Sequence, residues 1–86
     1  MKAAIRLEDR IVTHVQRLLA ERSISGPVSP DDDLREVGLT SLDMVNLMLS
    51  VEAEFDLMIP VEDITPANFR SVAAISRLIT KLLHDV

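Results

Sequence analysis

The chain has 86 residues, nearly half of them apolar, a net charge of −5 and no cysteine. That is one domain with enough apolar residues for a single core. It excludes disulfides and thiolate nucleophiles, and an acidic chain with two phenylalanines as its only aromatics lacks the usual equipment of a nucleic-acid binder.

No run of eighteen apolar residues is present, so no membrane insertion is expected. The charged start MKAAIRLEDR does not read as an export signal, and a reducing cytoplasm is the expected compartment. Charge is unevenly spread. Residues 23–66 carry ten acidic groups against Arg35 alone, between mildly basic ends. An acidic middle suits basic partners, and it equally suits a solvated surface.

Residues 3–22 predict a long amphipathic helix. Ile5, Leu7, Ile11, Val12, Val15, Leu18 and Leu19 share one arc of roughly 160° at 100° per residue. Arg6, Arg10 and Arg17 fall on the opposite, wet side, and His14 at the edge of the apolar arc has no partner in view. Residues 23–39 read as a loop set by Gly26, Pro27 and Pro30. Asp31, Asp32 and Asp33 lack the alternate spacing of a calcium loop and read as solvated turn acids. Leu34 and Val37 are expected to pin this loop to the core, and Gly38 to free the turn that follows.

Thr40 and Asp43 form T-x-x-D, close to a capping box, with Thr40 as the N-cap. Ser41 then stands at the first helical position, exposed, where negative charge is favoured. An unmodified helix-start serine fits the same position. The helix from Ser41 to about Phe55 has more apolar surface than one core face needs. Leu42, Met44, Val45, Leu47, Met48, Leu49, Val51 and Phe55 cover roughly 220° of its circumference. The excess, with Met44, Met48 and Leu49 foremost, faces either a partner or neighbours on several sides.

FDLMIP leads into VEDITPANF, read as a turn or two of short helix with Thr65-Pro66 as a good helix start. From Ser71, the expected cap, to about His84 the last helix turns Val72, Ile75, Leu78, Ile79, Leu82 and Leu83 inward. The reading is an all-α four-helix bundle over residues 1–86, with three longer helices, one short third helix and a long first loop. No catalytic triad, paired-histidine metal spacing or glycine-rich phosphate loop stands out, so neither an enzyme nor a metal site is expected.

GLTSLDMV followed by VEAEFDLMIP, with TPANFRSVAAI behind it, resembles the acyl carrier protein family, including its peptidyl and aminoacyl carriers. The resemblance covers roughly residues 31–83 and agrees with the helix order. It implies that Ser41 receives a 4'-phosphopantetheine arm from coenzyme A through a phosphopantetheinyl transferase. The arm would bring the thiol that the chain lacks and carry acyl or aminoacyl groups as thioesters. A loading ligase or synthetase would charge it, and downstream acyl transferases or synthases would discharge it, in fatty acid or secondary metabolite biosynthesis. Leu42, Met44, Val45, Met48 and Leu49 would meet partners or the arm, and Glu52 would offer an acid to basic partner surfaces.

Thr40 stands where this family usually has aspartate, and Asn46 and Ala53 replace frequent acids. The Thr40–Ser41 pair is similar to freestanding aminoacyl carriers. A monomer is the expected state for such a shuttle. A helical adaptor that binds proteins without an arm is the alternative reading.

Overall fold

The computed structural model describes residues 6–84. Four α-helices follow in order: α1 Leu7–Glu21, the short α2 Leu34–Val37, α3 Ser41–Phe55 and α4 Val72–His84, with a 3-10 turn at Val61–Asp63. Among the described residues there is no strand. The first predicted helix extends over residues 3–5, and Ile5 with it lies outside the described residues.

α1 packs on both α3 and α4 and forms the spine of the bundle. Its predicted apolar face is real. Ile11, Val15, Leu18 and Leu19 are buried together with Leu47 and Val51 of α3 and with Val72, Ile75, Leu78 and Ile79 of α4. Leu83 departs from the expected inward face and is exposed at the end of α4.

The first loop is more structured than its proline and glycine content suggests. α1 closes with the Ile24 amide donating to the Leu19 carbonyl, which folds Ile24 back over the bundle. Asp33 is not an idle turn acid, because its carboxylate accepts the Arg35 amide and caps α2. Leu34 is fully buried, as expected. Its amide donates to the Arg70 carbonyl at 2.8 Å, and the Ala73 amide donates to the Pro30 carbonyl at 2.9 Å. The loop is therefore laced to the start of α4.

Gly38 ends α2 at φ 128°, a region that side chains rarely adopt. A Cβ there would also stand 2.6 Å from Ile24 Cδ1. The backbone angle is what requires glycine at the turn that aims the chain into α3, since the tip of the Ile24 side chain could move aside.

The third predicted helix is reduced to the 3-10 turn and the turns that follow it. The Thr65 hydroxyl does cap, but what it accepts is the Asn68 amide of a single turn. The Asn68 side chain then donates to the Asp63 carbonyl and closes the segment on itself. Ser71 caps α4 as expected, its Oγ accepting the Ala74 amide.

Candidate functional site at the start of α3

The predicted capping box is present. The Asp43 amide donates to Thr40 Oγ at 3.2 Å, and the Thr40 amide donates to Asp43 Oδ2 at 2.9 Å. Two first-turn donors are satisfied this way, which fixes where helical geometry begins. Ser41 is therefore the first helical residue, and it is exposed.

What stands behind the box comes from a distant part of the chain, out of reach of any local pattern. Asp43 is only 5 % exposed. Arg22, just past the end of α1, pairs with it through both carboxylate oxygens, Nε to Oδ2 and Nη2 to Oδ1. Nη2 also donates to Thr40 Oγ at 3.2 Å. The guanidinium is the main reason that the Asp43 carboxyl is pulled down to about 2 from an ordinary 3.8, helped by the Thr40 amide against the opposing effect of burial. The same pairing raises the Arg22 pKa.

The depressed Asp43 pKa has a pH consequence with a definite sign. A carboxyl whose folded pKa lies below its unfolded value contributes stability that is fully present above about 3.8 and lost as the pH falls towards about 2. Glu54 is shifted in the same direction. Urea midpoints measured from pH 5 to pH 2.5 are expected to fall more steeply for the wild-type protein than for Asp43→Asn. Parallel curves would mean that Asp43 is not the titrating group.

The other end of α3 carries a matching clasp. Glu54 pairs with Arg10, which donates through Nε at 2.7 Å, and with His14 Nε2 at 2.9 Å. The His14 bond leads the causes that lower the Glu54 pKa, followed by Arg10. Arg10 also lies over the Phe55 ring, 4.7 Å from its centre. Arg17 reaches the Ser50 hydroxyl at 2.9 Å. Two of the three arginines read as a wet stripe therefore face α3, and His14 does have a carboxylate partner.

The apolar excess of α3 divides into three groups. Leu47 and Val51 are core, while Met44, Met48 and Phe55 are half-buried. Leu42, Val45 and Leu49 are exposed at 67 %, 48 % and 52 %. These last three sit at i, i+3 and i+7 and form one stripe along the helix. Val61 and Ile64 add exposed apolar surface from the segment after α3. Glu52 is half-buried, with Oε2 accepting the Ile59 amide at 2.8 Å, so it ties down the chain beyond the helix.

Beside Ser41 opens a cleft of about 290 Å³ between α3 and residues 64–70. Met44, Val45, Met48, Ile64 and Phe69 line it, and Arg35 and Arg70 share the lining with Ser41. The serine thus has three surroundings in one place: an open hydroxyl, a helix N-terminus with guanidinium groups nearby, and an apolar trough. A phosphodiester fits the first two, because the N-terminal amides and cations favour an anion. A slender chain attached to it fits the third. A hydrolytic serine is not built here. The hydrogen-bonded histidine of the described residues, His14, sits at Glu54, about 20 Å along α3 from Ser41 at 1.5 Å per residue.

Residues 9–79 match the family described as phosphopantetheine attachment site. The chain belongs to that family. It is a carrier protein, of a kind that holds its cargo on a covalently attached phosphopantetheine and leaves the chemistry to separate enzymes.

This carrier is 48 % identical over 80 residues to aminoacyl carrier protein 2 of Bradyrhizobium diazoefficiens, which spans 93 % of this chain and 90 % of that relative. It is 48 % identical over 78 residues to aminoacyl carrier protein 1 of the same organism, spanning 91 % and 87 %. Among solved structures it resembles the chain in a crystal structure of Bradyrhizobium japonicum glycine:[carrier protein] ligase complexed with glycylated carrier protein. There the TM-score is 0.73 and the identity 48 %, over 85 % of this carrier and 99 % of that chain. The expected all-α bundle of acyl-carrier type is thus the fold of this carrier. Among its described residues, no helix is long and apolar enough to cross a membrane.

Proposed function

We propose that Ser41 is the attachment point of the arm, and that this carrier presents an amino acid as a thioester to partner enzymes. The observation that carries the reading is the position of Ser41: exposed, first in α3, locked by the Thr40–Asp43 box and opening onto the cleft. The bound arm supplies a terminal thiol, and this chain supplies everything that positions it. The α3 N-terminus and its neighbouring guanidinium groups offset the phosphodiester charge. Met44, Met48 and Phe69 offer the arm an apolar wall.

Support for an aminoacyl cargo comes from the two aminoacyl carriers at 48 % identity and from the glycylated carrier in the ligase complex. A separate ligase would load the arm and downstream transferases would unload it, with the carrier acting as a cytoplasmic monomer. The stripe of Leu42, Val45 and Leu49, with Met44 and Met48 beside it, would form the docking surface. Glu52 would add an acid at its far edge.

Intact mass after incubation with coenzyme A and a promiscuous phosphopantetheinyl transferase tests the reading. One phosphopantetheine is expected on the wild-type chain and none on Ser41→Ala. No uptake from several transferases would leave the armless adaptor as the better description.

A further inference from the structure

The network behind Ser41 leaves one polar group with capacity to bind. Thr40 Oγ accepts two hydrogen bonds, from the Asp43 amide and from Arg22 Nη2, both at 3.2 Å. A hydroxyl oxygen has two lone pairs and one proton. With both lone pairs engaged, Thr40 can act towards solvent only as a donor. The residue is exposed and directly precedes Ser41. The arrangement is also held in place, because the buried Asp43 carboxylate grips Arg22 at two points and fixes the guanidinium that fills the second lone pair.

An aspartate in the same cap would accept the same backbone bond, but it has no proton to give at neutral pH and would add a negative charge. The threonine cap therefore changes the character of this position from anion to donor. That donor stands one residue before the Ser41 oxygen, on the same exposed helix start. A phosphodiester has one negative charge shared over two non-bridging oxygens, and such an oxygen takes a strong, short bond from a hydroxyl.

We propose that the Thr40 hydroxyl, oriented by Arg22, donates to a non-bridging phosphodiester oxygen on Ser41. Arg22 acts through Thr40 and is a positioning residue. The proposal rests on the assignment of the arm to Ser41.

The test uses the holo protein made with coenzyme A and a transferase, observed through its phosphodiester ³¹P resonance, with thermal melts alongside. Thr40→Ser keeps the hydroxyl and is expected to leave the resonance in place. Thr40→Val removes it and is expected to move the resonance beyond its linewidth. Arg22→Gln frees one lone pair on Thr40 and is expected to move it in the same direction by less.

An unmoved ³¹P resonance in holo Thr40→Val, whatever its melting temperature, would overturn the proposal. Should Thr40→Val fail to fold, an unmoved resonance in Arg22→Gln overturns it equally. A loaded chain with an insensitive resonance defeats this inference alone, whereas a chain that takes up no arm defeats the Ser41 assignment together with it.

Discussion

Val45→Asp is expected to lower the efficiency of loading by an amino acid:carrier ligase by about 30-fold or more, while the melting temperature stays near that of the wild type. Val45 is the middle of the exposed stripe that runs from Leu42 to Leu49, beginning next to Ser41. An apolar residue central to a docking surface contributes on the order of 2 kcal/mol or more when it is an anchor, and 1.4 kcal/mol is a factor of ten. An aspartate there also brings a charge that docking would strip of water. Half of the side chain already faces solvent, so the fold has little to lose. The decisive comparison is steady-state kcat/KM for the loaded thioester against the uptake of phosphopantetheine by the same variant. Unchanged loading kinetics would remove the stripe from the docking surface.

Leu47→Ala carries the largest expected effect on stability, about 3 kcal/mol, from lost burial and the cavity left behind. Leu47 is fully buried in the middle of α3 and belongs to the same core cluster as residues of α1 and α4. Small domains are stable by about 5–15 kcal/mol in all, so this one substitution removes a large part. Urea titration checks it: the midpoint should fall with the slope unchanged. A loss under about 1 kcal/mol would mean that the core closes around the smaller residue. The two variants divide α3 by face, since Val45→Asp changes function without stability and Leu47→Ala does the reverse.

Much of this division could be read before any coordinates. The T-x-x-D cap is a local signal, decided by residues three apart, and it placed Ser41 at the first helical position. The apolar arc of α1 and the inward set of α4 are periodic over many turns, with Leu83 the exception where α4 ends. The surplus on α3 was also legible as a surplus, although the helix alone could not say which residues would be left outside.

What escaped was short or distant. α2 has four residues, too few for a period to register, and Asp33 looks like one acid among three until its carboxylate meets the Arg35 amide. Thr65-Pro66 is a sound helix start, yet the Asn68 side chain closes the segment as turns. The pairs Arg22–Asp43, Arg10–Glu54 and His14–Glu54 join residues 21, 44 and 40 positions apart. No helical wheel of α1 could have shown that its arginines were facing a second helix.

Those long-range pairs bear on how the carrier meets more than one enzyme. The Asp43 and Glu54 clasps are eleven residues apart on α3, a span of about 17 Å at 1.5 Å per residue. With both ends fastened to α1, a displacement of 1 Å at one end would swing the helix axis by only about 3° over that lever length. The serine and the stripe beside it thus share one helix that is tied to α1 near both of its ends. The transferase, the loading ligase and the downstream enzymes would all approach a single fixed address, and adaptation to each would fall to their own surfaces and to the opposite bank of the cleft, residues 61–70, where neither clasp reaches.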